Sequence, residues 1–269
     1  MNNNHNAPYQ PLLTRVTDDN LSPVQRYQDL FVGSRSLKEL VIYELVTATL
    51  QSFPGALGIF LRGVFYRHLF RRCGSKLLMG RNVTIRVPRR IELGSGTIID
   101  DNAVLDAKGD PHHSFIRCGH KVEISRNAIL SCKQKGSITL GNFVSLGRNV
   151  LLSARAPLRI GDNCSIGPYA CILASGHDWQ DSQQPILLQD RPVGPITIGE
   201  NVWIGAHVTI MDGVTIGDNS IIGVGSVVTH DIPAYRIAAG APARVVRIRQ
   251  APDHTQSSPG VRSNRVSRT

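Results

Sequence analysis

Aliphatic residues recur every six positions along much of the chain, and the clearest run lies between residues 196 and 233. Four positions after each of them stands a second small or β-branched residue, such as Val202 after Ile198. An α-helix repeats every ~3.6 residues and cannot keep this spacing on one face, whereas strand alternation returns every sixth side chain to the same side. The pattern therefore predicts short strands that are joined by tight turns and stacked into a β-solenoid. The ladder residues of this run are Ile198, Ile204, Ile210, Ile216, Ile222 and Val228.

Triplets of residues with the same six-residue spacing continue the ladder upstream. Every longer spacing falls between two triplets and never inside one. Because solenoids accept insertions as loops on one edge, the spacing predicts coils of three hexapeptides over residues 73–233, stacked about 4.8 Å apart. The longest insertion predicts a loop at 173–197. The triplets are Cys73, Met79 and Ile85; Leu93, Ile99 and Leu105; Cys118, Ile124 and Leu130; Leu140, Leu146 and Leu152; and Ile160, Ile166 and Ile172.

Two different patterns precede the solenoid. Residues 1–35 are largely polar, with several Asn, Asp and Pro, and predict a mostly disordered arm. Residues 36–72 carry apolar side chains at helical spacing, interrupted once by a Pro-Gly pair, and Ser36 with Glu39 resembles a capping box. We interpret this amphipathic helical segment either as a cap that seals the first coil or as a basic element that lies on an anionic membrane. The two interpretations are compatible.

The formal net charge of +10 favours an anionic partner, such as nucleotide phosphates or an acidic membrane surface. The arginines concentrate on either side of the middle of the chain, and no RNA-binding signature or helix-turn-helix accompanies them, so nucleic acid is not an expected partner. The last residues, 251–269, combine Ser, Pro and Arg without apolar periodicity and predict a disordered tail.

The five cysteines include no CxxC pair and no cluster with zinc-ligand spacing, so that buried thiols in a reducing cytosol are predicted. The sequence contains neither a signal-peptide pattern nor an unbroken apolar run of ~20 residues. The predicted location is the cytoplasm. Peripheral contact with the inner face of the membrane is a further possibility that this location allows. The cysteines are Cys73, Cys118, Cys132, Cys164 and Cys171.

Three stretches carry a family resemblance: ILASGHD at 172–178, ITIGENVWIGAHVTIMDGVTIGDNSIIGVGSVVTHDIP at 196–233, and AAGAPARVVR at 238–247. They resemble the hexapeptide-repeat acetyltransferases of the maltose/galactoside and nodulation acetyltransferase group. The resemblance implies an all-β fold, a left-handed parallel β-helix, to which the short N-terminal helical segment is added. It also implies a homotrimer that takes its acyl group from acetyl-CoA and needs no metal ion.

The resemblance implies a site as well. The histidine after the glycine that opens the long loop is the catalytic base in this family, and the corresponding residue is His177. Neutral imidazole near pH 7 suits this task, because a hydroxyl must lose its proton as it attacks a thioester. Trp203 stands where the family's tryptophan packs beside the active site.

CoA contacts are implied along the last coils and in the C-terminal segment 234–250. The two arginines among them suit phosphate oxygens because the guanidinium donates through a planar fork. His230 stands where relatives usually carry Lys, which weakens the expectation for that contact. The implied CoA-binding residues are Ala206, Val224, Thr229, His230, Arg244 and Arg247.

The acceptor side departs from the relatives that acetylate simple sugars. Those enzymes commonly place Asp about 22 residues before the base, and here the position is held by Arg155. The predicted acyl acceptor is a hydroxyl of a sugar, glycan or glycolipid in polysaccharide biosynthesis. A negatively charged or lipid-linked acceptor is included in this prediction. Three alternatives remain: a xenobiotic acetyltransferase of streptogramin type, a non-catalytic scaffold, and a γ-class carbonic anhydrase-like zinc enzyme, which would need ligands such as His177, His207 and His230.

Overall fold

The computed structural model of the protein describes residues 21–176, 182–183, 189 and 192–249. Helices occupy the N-terminal part, and short strands then wind into a solenoid that ends in a hairpin. The helical elements are α1 (Pro23–Tyr27), a π-helical turn (Gln28–Val32), α2 (Leu37–Leu50), α3 (Gly55–Phe65) and two 3-10 turns (Tyr66–His68 and Pro88–Arg90).

The solenoid consists of three parallel sheets, and each of seven coils gives one strand to every sheet in turn. The first sheet contains β1 (Arg72–Cys73), β4 (Ile91–Leu93), β7 (Ile116–Cys118), β10 (Ile138–Leu140), β13 (Leu158–Ile160), β16 (Ile196–Ile198) and β19 (Thr215–Ile216). The second contains β2 (Leu78–Met79), β5 (Ile98–Ile99), β8 (Glu123–Ile124), β11 (Ser145–Leu146), β14 (Ser165–Ile166), β17 (Trp203–Ile204) and β20 (Ile221–Ile222), followed by the hairpin β22 (Arg236–Gly240) and β23 (Ala243–Ile248). The third contains β3 (Thr84–Arg86), β6 (Val104–Asp106), β9 (Ile129–Cys132), β12 (Leu151–Ala154), β15 (Cys171–Ala174), β18 (Thr209–Met211) and β21 (Val227–Val228).

The core is the predicted ladder. Every ladder residue from Met79 to Val228 is buried, and equivalent members of successive coils lie opposite one another, as Ile166, Ile204 and Ile222 do in the second sheet. Full burial of one such side chain stabilises the fold by about 1.5–3 kcal/mol. The predicted β-solenoid of three hexapeptides per coil is therefore confirmed, while its left hand remains a prediction from the family resemblance.

The insertions all leave one edge, where the third sheet passes to the first; we call it the loop edge. The other two are the first edge, between the first and second sheets, and the second edge, between the second and third. Asparagines such as Asn102 and Asn149 adopt positive φ at the second edge, a conformation that Asn tolerates. The glycines that precede these turns serve the stacking instead: a Cβ on Gly205 would lie 2.7 Å from the Val224 nitrogen.

The N-terminal arm differs from its prediction. Residues 1–20 lie outside the described residues, but helical structure covers 23–32 where disorder was expected for 1–35. The physical reason is that this segment has apolar partners: Val32 is buried, and the Val87 amide donates to the Phe31 carbonyl at 2.8 Å.

The predicted helical segment forms α2 and α3, with the break where the Pro-Gly pair stands. The capping box at Ser36 is wrong, because the Ser36 side chain makes no capping hydrogen bond. Glu39 instead forms an ion pair with Arg89 at 2.9 Å. A capping box is present one helix earlier, where the side chains of Ser22 and Gln25 satisfy each other's backbone amides.

Helix α3 buries its one charged residue against the first coil. The Arg62 side chain is 1% exposed and donates to the carbonyl oxygens of Met79 (3.0 Å), Leu50 (3.2 Å) and Phe53 (2.6 Å). Burial lowers the pKa of Arg62. The guanidinium thus joins the end of α2, the turn after it and β2, so the helices do cap the solenoid. Within the described part of the chain, no helix is long and apolar enough to cross a bilayer.

All five cysteines are free thiols in the structure. Cys118, Cys132 and Cys164 are buried, as predicted, while Cys73 and Cys171 are partly exposed. Burial raises the pKa of the Cys118 and Cys132 thiols to about 12, and therefore these two are unreactive near neutral pH.

Candidate active site

The long predicted loop leaves the loop edge after β15 and returns before β16. His177, its candidate base, lies outside the described residues, whereas its neighbour Gly176 is described. Arg155 donates through Nη1 to the Gly176 carbonyl oxygen and through Nε to Gln134 Oε1 at 2.8 Å. These three residues come from the insertions after three successive coils. Arg155 therefore anchors the start of the loop, a role that the sequence did not suggest for it.

The other end of the loop is held by the following coil. The Gly194 amide donates to Asp212 Oδ2 at 3.4 Å, and a Cβ on Gly194 would lie 2.6 Å from the Gly213 Cα. No side chain fits at this crossing. The segment that contains His177 thus begins and ends at positions defined by the loop edge.

Two implied CoA residues lie at the same edge. Thr229 and His230 follow β21 and are exposed, with Thr229 Oγ1 2.9 Å from His230 Nδ1. Either partner can donate, depending on the imidazole tautomer. The pair offers a hydroxyl and a ring nitrogen to solvent at the edge from which the long loop departs.

Ala206 and Val224 stack at the second edge instead. The Gly225 amide donates to the Ala206 carbonyl at 2.9 Å, and Val224 is 67% exposed. Small side chains and backbone groups line this edge, because Gly167 and Gly205 let successive coils approach closely. The backbones of successive coils therefore lie close together at this edge, beside the exposed side chain of Val224.

A ring stack was missed by the sequence analysis. The rings of Tyr169 and His207 lie parallel at the second edge, with centroids 4.9 Å apart and planes within 2°. Both residues have positive φ and stand three positions after a ladder isoleucine. This shared position in the repeat is the sequence signal that could have predicted that they stack. His207 precedes Val208 and follows Ala206, which puts an aromatic surface beside the implied CoA contacts.

The outer face of the second sheet carries a third group. Trp203 is 50% exposed and pairs in register with Ser165 and Ile221 of the adjacent strands. The hairpin extends this sheet, since Ile221 pairs with Ile237 and Ile237 with Arg247.

The arginines of the hairpin differ in their contacts. Arg244 donates to the Ala243 carbonyl at 2.9 Å and lies opposite Ala239. Both Arg244 and Arg247 are exposed on β23 at the C-terminal end of the solenoid. An anionic ligand that reaches this end meets two guanidinium groups.

The implied site is therefore divided within one chain. The loop edge holds Arg155, Gly176, Thr229 and His230, whereas Ala206 and Val224 lie at the second edge. One hexapeptide separates two edges, which is at most ~20 Å of chain. The two groups therefore belong to different edges of the solenoid.

The zinc alternative depends on histidines that the fold separates. His207 lies at the second edge and His230 at the loop edge, while His177 is outside the described residues. Among the described residues, no group of three or more His, Cys, Asp or Glu side chains could hold a metal ion.

Comparison with known proteins agrees with this architecture. Residues 195–230 match the model of the bacterial transferase hexapeptide family (six repeats). In a structure of AntD, an N-acyltransferase from Bacillus cereus in complex with dTDP-4-amino-4,6-dideoxyglucose and coenzyme A, the same fold is found with a TM-score of 0.50 and 21% identity, over 75% of this chain and 92% of that one.

Two curated relatives match more of the sequence. The galactoside O-acetyltransferase of Escherichia coli (strain K12) is 44% identical over 118 residues, 40% of this chain and 55% of that protein. The Probable acetyltransferase Rv3034c of Mycobacterium tuberculosis is 34% identical over 167 residues, 60% of this chain and 55% of that protein. The chain spans just over half the length of these relatives. The chain is similar to these acetyltransferases over its hexapeptide repeats.

Proposed function

We propose that the protein is an acyl-CoA-dependent O-acyltransferase that uses acetyl-CoA and acts on a hydroxyl of a sugar, glycan or glycolipid. The observation that carries this proposal is the 44% identity to the galactoside O-acetyltransferase over 118 residues. The motif around His177 and the anchored long loop support the same chemistry.

In the proposed reaction, the His177 imidazole accepts the proton of the acceptor hydroxyl as its oxygen attacks the thioester carbonyl carbon of acetyl-CoA. The carbon–sulfur bond of the tetrahedral intermediate then breaks, and the CoA thiolate receives the proton from the imidazolium. The products are the acetyl ester and free CoA. A base of this kind contributes ~10²–10⁴-fold to the rate.

The donor would lie along the solenoid edge. Ala206 and Val224 leave room beside the backbone for a narrow pantetheine arm, and Thr229 and His230 offer polar contacts. Arg244 and Arg247 would bind phosphate oxygens, since guanidinium groups pair with them in a bidentate manner. Trp203 supplies an exposed aromatic surface on the acceptor side.

Release of free CoA thiol tests the proposal directly. Purified protein is incubated with acetyl-CoA and a panel of hydroxyl acceptors: free sugars, lipid-linked sugars and a streptogramin. An amino sugar nucleotide is included because AntD is an N-acyltransferase. We expect thiol release only with a sugar or glycolipid hydroxyl. Release with the amine or the antibiotic alone would reassign the acceptor, and release with none would refute transferase activity.

Replacing Arg155 by alanine is expected to lower kcat by roughly 10- to 100-fold, because loss of the Gly176 contact lets the loop shift by about 1 Å or more. The KM for acetyl-CoA should stay constant, since Arg155 is not one of the implied donor contacts. The Arg155→Lys variant reaches one partner only and should fall between. Arg159→Ala, an exposed position on the following strand β13, is the matched control. Equal losses for Arg155→Ala and Arg159→Ala would contradict an anchoring role.

The divided site favours a homotrimer, because a groove between neighbouring chains can bring one chain's loop edge to another's second edge. Mixing two inactive variants, His177→Ala and Val224→Arg, tests this. If the base and the donor surface come from different chains, equal random mixing restores about a quarter of the sites. If both come from one chain, no mixed assembly regains activity, and a shared site is refuted.

A further inference from the structure

Helix α3 is inverted relative to an ordinary surface helix. Its buried positions are Gly58 and Arg62, while Phe60 on the opposite side is 65% exposed. Surface helices normally bury an apolar stripe and expose charge. Here the only charged side chain of the helix donates to backbone carbonyls of α2, the turn after it and β2, and the outward face is apolar. The exposed apolar residues of α3 are Leu57, Ile59, Phe60, Val64 and Phe65.

The apolar surface continues beyond α3. Leu37, Val41 and Leu45 form an exposed stripe with four-residue spacing on α2, and Phe53 is exposed between the helices. Between α3 and the second sheet lies a groove of about 390 Å³, whose lining includes Ile59, Phe60, Val64 and Leu78. Exposed apolar side chains clustered in this way mark an interaction surface.

Positive charge surrounds this patch. No Asp or Glu occurs between residues 45 and 91, whereas nine Lys and Arg do. Arg67 and Lys76 line the groove itself. Four others are in ion pairs with carboxylates of the cap and the next coil: Arg71, Arg81, Arg86 and Arg89. His68, Arg71 and Arg72 are exposed nearby. The patch therefore combines exposed Phe, Leu, Ile and Val with a cationic rim.

We propose that the patch formed by α2, α3 and the rim around Arg67 and Lys76 docks onto an anionic lipid bilayer. Apolar side chains enter the interface between headgroups and acyl chains, while Lys and Arg pair with lipid phosphates. Helix α3 contains 11 residues, about 16 Å, so it lies along the surface of a hydrocarbon layer ~30 Å thick. This inference does not depend on the proposed catalytic activity.

Charge favours a bilayer over a second copy of the chain. A symmetric contact between two such patches would bring two cationic rims together, and the two glutamates of α2, Glu39 and Glu44, already pair with Arg89 and Tyr27. Like charges facing each other across an interface are unfavourable. An anionic membrane offers the opposite charge and an apolar interior together.

Sedimentation of the full chain with vesicles tests the proposal. Vesicles of phosphatidylcholine with about 30% phosphatidylglycerol are compared with phosphatidylcholine alone, at about 50 mM and about 500 mM salt. We expect binding to the anionic vesicles that weakens at high salt. Leu57→Ser/Phe60→Ser should reduce it at least tenfold, and Arg67→Glu/Lys76→Glu roughly fivefold or more for each charge removed.

Matched variants separate docking from general effects. Val246→Ser removes an exposed apolar side chain at the opposite end of the solenoid, and Arg148→Glu/Arg159→Glu makes the same charge change on other coils. These should bind as the unaltered protein does. Circular dichroism and light scattering check the fold and the oligomeric state of every variant.

Three outcomes would overturn the proposal. The first is no binding to anionic vesicles, and the second is equal loss in the patch and control variants. In the third, Leu57→Ser/Phe60→Ser lowers the oligomeric state and leaves vesicle binding unchanged, which would show that the patch is a contact between copies. A protein that binds vesicles but transfers no acyl group would refute the catalytic proposal and leave this one standing.

Discussion

Replacing His177 by glutamine should lower kcat for acetyl transfer by ~10²–10⁴-fold, the contribution of a positioned general base. Glutamine keeps a similar size and polarity but cannot accept the hydroxyl proton. The KM for acetyl-CoA should change little, because the donor contacts lie on other residues. Steady-state thiol release, with the acceptor found by the panel above, measures both constants.

The pH dependence of kcat is a second test of His177 as the general base. Only neutral imidazole accepts a proton, so kcat of the unaltered enzyme should rise as pH increases through the range in which histidine titrates. In His177→Gln, the residual rate should lose this rise. His112→Gln, an exposed histidine in the loop after β6, is the control and should retain both the rate and the profile. A His177→Gln variant with full activity would exclude His177 as base.

Replacing Arg62 by methionine should destabilise the N-terminal cap by ~3 kcal/mol, because one buried and two partly buried carbonyl oxygens lose their donor. The removed cost of burying the guanidinium offsets part of this loss. Arg62→Lys keeps a charge but has one nitrogen for acceptors on three segments, so about half of the stability should return. Denaturant unfolding measures the change, with Arg67→Met, exposed one turn later, as control.

The destabilisation caused by Arg62→Met should be confined to the N-terminal part of the structure. Because each coil of a solenoid contacts mainly its neighbours, hydrogen exchange should accelerate in α2, α3 and β2 and stay unchanged in the last coils. Uniform acceleration along the chain would contradict a local clamp. So would a change in stability below about 0.5 kcal/mol in Arg62→Met.

The solenoid could be predicted because its determinants are local and repeated. A ladder of Ile, Leu and Val every six residues can point to one side only if the chain is extended, and the interruptions identify the edge where loops leave. His177 could be proposed from its motif. Its surroundings could not, because the Arg155–Gly176 contact joins insertions of different length from separate coils.

The turn residues show the same limit. At the turns of the second edge, positive φ falls on residues such as Asn149, Tyr169 and His207. Gly167 and Gly205 are needed because the next coil lies within 3 Å of where a Cβ would stand. Such proximity depends on stacking and is invisible in one repeat. The parallel rings of Tyr169 and His207 follow from the same stacking.

For this protein, the sequence by itself determined the period, the number of coils and the edge that carries the loops, since a six-residue repeat is compatible with few backbone geometries. Only the tertiary structure decided which side of α3 faces the solenoid. Apolar residues occur all around that helix, so no stripe selects a face. The buried face is selected by close approach of the backbones, because a Cβ on Gly63 would lie 2.8 Å from the Leu77 carbonyl oxygen. Arg62, beside Gly63, donates to three carbonyl oxygens on the same side. Once that face is buried, the aromatic face must remain outside.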